Sequence, residues 1–344
     1  MKALIKSSPH KGLELAEVPV PRVERDDVLI RVLRTGICGT DLHIHDWNPW
    51  AARTLSLPRI IGHEFVGKIA ETGTAVRGLS PGQLVSAEGH LTCGDCVHCR
   101  RGDRHLCLNA QGLGVHRDGA FAEYVVLPAA NVWQHQSGIP LDVAAVFDAF
   151  GNAVHAAETF DVCHRAVLVT GAGPIGAMAA AVAVHRGARL VAVTDINPFR
   201  LRLARGAGVH RTIEAGPGAV AQAVKELGLT GGFDIGFETS GAPDGLRDAI
   251  ASLTHGGQLA ILGLPDGSVP TDWSDIALRM LTIQGVSGRR VFDTWHSMSR
   301  LLDEGLDPSF TITHHFPAGQ YDKAFTAVEE GTAGKVLLDW GARS

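Results

Sequence analysis

Four of the chain's six cysteines, Cys93, Cys96, Cys99 and Cys107, fall in the single stretch CGDCVHCRRGDRHLC. Gaps of two, two and seven residues let four thiolates wrap one tetrahedral ion with Zn–S bonds of about 2.3 Å. Four thiolates leave no open coordination position, so such a site holds a loop and cannot activate a substrate. An iron–sulfur run also begins C-x-x-C-x-x-C, but it continues to a nearby Cys-Pro that this chain lacks. Zinc is the expected ion, in a structural role, and the reacting centre must lie elsewhere. A second set of residues could supply it: Cys38 in GICGTDLHIHDW, His63 and Glu64 in IIGHEFVG, and Asp148 in VFDAFGNAVH. One thiolate, one imidazole and one carboxylate bind Zn²⁺ while leaving room for a water or an alcohol oxygen. Singly, each would be ordinary core or surface material. His10, His185 and His210 have no such company and are read as ordinary histidines.

A third motif is GAGPIG at residues 171–176. It follows the strand-like AVLVT, opens an alanine-rich helix, and is followed by Asp195 at the end of the next apolar run. Gly171 permits the tight turn, Gly173 lets the backbone approach a pyrophosphate, and Gly176 lets helix and strand pack closely. The helix N-terminus adds a positive dipole end for phosphate. Asp195 would accept hydrogen bonds from adenosine ribose hydroxyls and repel a 2′-phosphate, so NAD is expected over NADP.

These groups need two kinds of framework. Residues 1–150 read as short strands broken by Gly and Pro (DDVLIRVLRTGI, FVGKIAET, GQLVSAEG, AFAEYVVLP), the texture of a β-rich, barrel-like domain. Beyond, the apolar runs RAVLVTGAG, RLVAVTD, FDIGFETSG and GQLAILG alternate with helical segments, which predicts a doubly wound parallel sheet. From about residue 297, MSRLLDEG and YDKAFTAVEEG read as helices and KVLLDW as a last strand, a tail that pattern alone does not place. A length of 344 residues also favours two domains.

Composition excludes other classes. With 31 Lys and Arg against 36 Asp and Glu, the net charge of -5 offers no footprint for nucleic acid or an anionic membrane. The opening MKALIKSSPHKGLELAEV has no signal-peptide core and no apolar run is long enough to span a bilayer, so a cytoplasmic protein is expected. In that reducing compartment clustered cysteines bind metal more readily than they pair.

GHEFVG, CGTDLH, the four-cysteine loop and GAGPIG together resemble the zinc-containing medium-chain alcohol dehydrogenases along the whole chain. The resemblance implies an α/β protein with a GroES-like catalytic zinc domain at 1–150, an NAD-binding Rossmann domain at 151–296, and a segment, 297–344, returning to the catalytic domain. It also implies a homotetramer. By the same resemblance Cys38, His63 and Glu64 are catalytic zinc ligands, Thr40 and His43 form a proton relay, and Asp148 is an acid close to the zinc. Ile175, Asp195, Arg200, Leu262, Gly263, Leu264, Val286 and Ser287 match NAD-contact positions. One catalytic and one structural zinc per chain are expected.

Longer matches, among them CGTDLHIHDWNPW, SAEGHLTCGDC, FDAFGNAVH and TAGKVLLDW, are similar to the branch that oxidises L-threonine at its secondary alcohol. That implies L-2-amino-3-oxobutanoate as product and hydride transfer to NAD. Glu64, Asp148, His90 and the backbone around Gly151 are then candidates to meet the substrate's two charges. Arg290 and His296 in SGRRVFDTWHSM depart from the acidic and aromatic residues the branch would suggest. Two rivals remain: a sorbitol-type polyol dehydrogenase of the same fold, and a non-catalytic NAD-binding relative.

Overall fold

A computed structural model describes residues 1–265 and 267–341. The chain divides into two compact units, Met1–Ala149 with Arg290–Phe292 and Ile312–Ser344, and Phe150–Arg289 with Asp293–Thr311. The tail therefore contributes to both: the helix Asp293–Asp303 belongs to the second unit, and the strands Ile312–Pro317 and Lys335–Asp339 to the first.

The first unit is organised by the strand Asp27–Gly36, whose Val28, Ile30 and Val32 alternate into a core with Phe65, Ile69, Val85 and Leu127. Period-two burial of β-branched residues is what a half-buried strand requires. This strand pairs antiparallel with Glu64–Thr72, Tyr124–Pro128 and Lys335–Asp339 in a seven-stranded sheet. The register sets Gly36 opposite Glu64 on one side and Leu337 on the other. A side chain at Gly36 would put a Cβ 2.3 Å from Glu64 Oε2, so the glycine makes room for the carboxylate. Short helices, Gly39–His45 and Pro49–Thr54, follow the central strand directly.

In the second unit six parallel strands run in the spatial order Arg211–Glu214, Leu190–Asp195, Ala166–Thr170, Phe233–Glu238, Leu253–Ile261 and Thr282–Gly285. All five residues of Ala166–Thr170 are buried, as expected of a strand covered on both faces. The strand order reverses between Ala166–Thr170 and Phe233–Glu238, and that switch point is where a doubly wound sheet binds its ligand. The helix Pro174–His185 enters through Gly173, with proline in its first turn, and buries every residue from Gly176 to Ala183.

Candidate active site

Cys38 is the N-cap of Gly39–His45, and the strand exit places its thiol beside the start of Glu64–Thr72. The ligand atoms of Cys38, His63 and Glu64 all lie within 4.8 Å of one another. Asp41, fully buried one turn into the helix, accepts the Cys38 backbone N–H at 2.8 Å and lies 3.8 Å from His63 Nδ1. A carboxylate behind the imidazole orients it and leaves Nε2 for a metal. Burial pushes the Asp41 carboxyl up to about 6, against the pull of His63.

Glu64 is also completely buried, and its Oε1 has no hydrogen-bond partner. An orphaned carboxylate oxygen inside a protein is costly unless a cation meets it, so the donor set fits Zn²⁺. The other oxygen pairs with the buried ammonium of Lys335, which also donates to the Ile37 carbonyl at 3.0 Å. Burial works against a charge on Lys335, yet Glu64, and after it Cys38 and Asp148, raise its pKa. Asp148, in the first turn of Phe147–Ala157 and 5% exposed, acts electrostatically on both His63 and Lys335 but is not one of the three converging ligands.

Thr40 and His43 sit on the Cys38 helix, half-buried and exposed respectively. Its far end is held by Lys6, which is 0% exposed, donates to the carbonyls of His45 at 2.9 Å and Gly12 at 3.0 Å, and lies 5.4 Å from the Trp47 ring centre. A cation at a helix C-terminus complements the dipole. His90 is half exposed, its Nδ1 3.0 Å from an oxygen of the fully buried Glu88. Asp41, Lys335 and Lys6 are the residues that the sequence reading misses; each acts through partners brought together by the fold.

The four thiols of the 93–107 loop likewise lie within 4.8 Å of one another, and each is a free cysteine. Cys93 Sγ is 3.5 Å from Cys107 Sγ and 4.0 Å from Cys99 Sγ, close to the edge of about 3.8 Å for a tetrahedron with 2.3 Å bonds. Backbone N–H groups of Cys99 and Leu108 pull the Cys96 thiol down to about 6, the donor environment of a metal thiolate. The loop fits a structural zinc.

In the second unit the expected NAD contacts stand at the carboxyl ends of the parallel strands. Gly171 adopts φ +94°, and a Cβ there would lie 2.7 Å from Ser240 N. At Gly173 a Cβ would meet nothing within 4 Å, which leaves the open approach that a pyrophosphate needs, so the cradle fits the dinucleotide. Asp195, 7% exposed, accepts Ala172 N–H at 2.7 Å and Asn197 N–H at 2.8 Å, tying the second strand to the glycine turn. Ile175 lies in the first helical turn and Arg200 on Pro198–Arg205; Leu262, Gly263 and Leu264 follow Leu253–Ile261, and Val286 and Ser287 follow Thr282–Gly285. Glu238 is an addition: 1% exposed, it accepts Ser240 N–H at 2.8 Å and Gly241 N–H at 3.1 Å, and its backbone carbonyl takes Leu262 N–H at 2.9 Å.

A closed four-thiolate loop, an open Cys/His/Glu cluster and a doubly wound sheet with a dinucleotide turn define a zinc-dependent, nicotinamide-linked dehydrogenase. Residues 24–137 match the alcohol dehydrogenase GroES-like domain and residues 174–304 the zinc-binding dehydrogenase domain, and the chain belongs to the zinc-containing medium-chain alcohol dehydrogenase family. It is 53% identical over 343 residues to a protein of Saccharopolyspora erythraea named L-threonine 3-dehydrogenase, with 100% of both chains covered. To the protein of that name in Solibacter usitatus it is 52% identical over 340 residues, covering 99% of this chain and 100% of the other. Among solved structures, an alcohol dehydrogenase of Escherichia coli in complex with NADH superposes with a TM-score of 0.91 at 27% identity, with 99% of each chain covered.

Proposed function

We propose that this chain oxidises the secondary alcohol of L-threonine to L-2-amino-3-oxobutanoate with hydride transfer to NAD. The observation that carries the reading is end-to-end identity with proteins named for that activity, in a chain that keeps the open metal cluster. When bound, zinc supplies a Lewis acid for the alcohol oxygen and NAD supplies the hydride acceptor. Cys38, His63 and Glu64 hold the metal, Asp41 orients His63, and Lys335 fixes one oxygen of Glu64. Asp195 and the 171–176 turn hold the dinucleotide. Alcohol oxidation releases a proton at neutral pH, and Thr40 and His43 on the ligand-bearing helix are the groups proposed to carry it out. Threonine also brings an ammonium and a carboxylate, and leaving either unpaired in a partly dry site costs roughly several kcal/mol. Asp148 and His90 are the polar side chains proposed to answer them; Glu64, with one oxygen on Lys335 and the other turned to the metal cluster, is already committed.

The reading extends to a cytoplasmic homotetramer. No helix among the described residues is long and apolar enough to cross a membrane, and light scattering tests the assembly. The decisive measurement is kcat/KM with NAD in excess for L-threonine, 2-butanol and sorbitol. L-threonine is expected to lead by a wide margin, since 2-butanol lacks both charges and sorbitol offers only hydroxyls. Comparable efficiency with sorbitol supports the polyol reading, and NADH binding without turnover supports the non-catalytic one.

A further inference from the structure

His43 shares an amide with the cap of the neighbouring helix. Pro49–Thr54 begins after Asn48, whose Oδ1 accepts the Ala51 backbone N–H at 2.9 Å. A backbone N–H can only donate, so this bond settles which end of the amide is the oxygen. The other end, Nδ2, stands 3.0 Å from His43 Nδ1, and an amide nitrogen is itself only a donor. His43 Nδ1 must therefore present its lone pair, and the hydrogen of the neutral ring must be on Nε2. The pair is held from both sides: Asn48 N–H donates to the His43 carbonyl at 3.1 Å, and the Trp50 ring lies edge-on to the imidazole at 6.3 Å. The charged residues of the same helix are engaged elsewhere, Asp41 with Cys38 and His63, and His45 with Asp46 and Glu329.

We propose that Asn48 is a positioning residue for proton release, one that holds His43 in the Nε2–H tautomer. The inference rests on the proposed role of His43 as proton carrier. A proton taken up by His43 enters at Nδ1, breaks the bond to Asn48 and turns that nitrogen into a donor facing an amide donor. Loss of the Nε2 proton to solvent completes the transfer and leaves an Nδ1–H ring facing the amide donor; exchange with water, a proton off Nδ1 and one onto Nε2, then restores the starting tautomer, so one proton enters the ring and one leaves in each turnover. Asn48 thus offers the doubly protonated ring no acceptor at Nδ1. An aspartate in its place would cap the helix about equally well, yet it would accept from Nδ1–H and retain the charge.

The test compares zinc-loaded wild type with Asn48→Asp and Asn48→Ser. Serine keeps an N-cap oxygen but is too short to reach the imidazole. With ¹⁵N-histidine protein, and His43 assigned through His43→Gln, wild type is expected to show a bare Nδ1 and a protonated Nε2. Asn48→Ser should show mixed tautomers, and Asn48→Asp a ring protonated on both nitrogens to higher pH. In the kcat profile the acid limb of Asn48→Asp should move up by about one pH unit, a loss of roughly tenfold on that limb, with melting temperature unchanged. A wild-type ring protonated on Nδ1, or an Asn48→Asp enzyme with wild-type spectrum and profile, would overturn the lock alone. Normal turnover in His43→Gln would instead remove the relay on which it rests.

Discussion

The four thiols of the 93–107 loop converge from one short run of chain, with Cys93 exposed and Cys99 alone buried. Cys38, His63 and Glu64 converge from two separate strand ends, with Asp41 and Lys335 pressed behind them and Glu64 sealed from solvent. The first set is surrounded mainly by its own sulfurs and backbone N–H donors, with Asn109 Nδ2 3.8 Å from Cys93 Sγ and no sheet strand behind it, so its geometry is expected to depend on the ion. The second is built by the sheet, which sets Asp41 beside His63 and Lys335 against Glu64. An ion in the loop is expected to contribute mostly to folding, whereas an ion at the sheet edge contributes mostly to chemistry, because its surroundings are paid for by the fold.

The sharpest way to break that contrast is to remove one ligand from each site. Cys38→Ser should cost about 10³-fold or more in kcat, the several kcal/mol supplied by a Lewis acid. It should also remove one zinc per chain while shifting the melting temperature little. Cys96→Ser should remove the other zinc and lower the melting temperature, since the binding energy of an ion that organises its own loop is folding energy. Metal analysis with calorimetry decides, and a reversal of the two phenotypes would refute the division. A second probe is Lys335→Met, which strands the Glu64 carboxylate. Loss of one partner of a buried pair costs about 3–5 kcal/mol, and an ion on Glu64 should recover part of it. The difference in melting temperature between metal-loaded and metal-stripped protein should therefore widen in the variant; an unchanged gap would mean that the ion does not engage Glu64.

The contrast also explains what could be read from the chain. The 93–107 loop and the 171–176 turn are local in sequence, so their spacing alone carries their chemistry. Glu64 and Lys335 lie at opposite ends of the first unit's chain, and only the register through Gly36 brings them together. No periodicity announces such a pair. The edge strands Arg211–Glu214 and Thr282–Gly285 are four residues each and largely exposed, so they lack the apolar runs that reveal the inner strands of the sheet. Asn48-Pro49 is an N-cap signature on its face, but its contact with His43 depends on how two short helices meet.

In the second unit the effect of a single carboxylate should be smaller. Asp195 already spends an oxygen on Ala172 N–H and another on Asn197 N–H, so it braces the turn besides the ribose contact proposed for it. Asp195→Ala should weaken NAD binding by about 10- to 100-fold, equivalent to one or two hydrogen bonds to a charged acceptor, and narrow the preference over NADP. Glu238→Gln should weaken NAD binding modestly while sparing zinc content: the amide oxygen can still take the Ser240 and Gly241 N–H groups where Oε1 does now, but its Nε2 would replace Oε2, which stands 3.4 Å from Gly241 N, and face a donor there. Isothermal titration with each cofactor separates the two variants. A wild-type protein that prefers NADP would withdraw the role given to Asp195.

The smallest expected effect returns to the first unit, behind the helix that carries Asp148. His135 is 7% exposed, its ring packs edge-on against Phe147 at 4.8 Å, and its Nε2 lies 2.7 Å from Ser86 Oγ. Ser86 gives its own hydrogen to the Ala144 carbonyl at 3.1 Å, so its oxygen accepts from a neutral His135. Burial lowers the pKa of this histidine from 6.5 to about 4. In that window the unfolded chain takes up a proton that the folded chain refuses, so the stability His135 contributes is complete above about pH 6.5 and declines as pH falls toward 4. The loss should reach about 1 kcal/mol at pH 5.5. His135→Gln keeps a donor for Ser86 without a titrating group, so its urea midpoint should fall less between pH 7 and pH 5 than that of wild type. Parallel declines in the two proteins would show that the acid sensitivity arises at other groups, with the metal cluster's own ligands the first to examine.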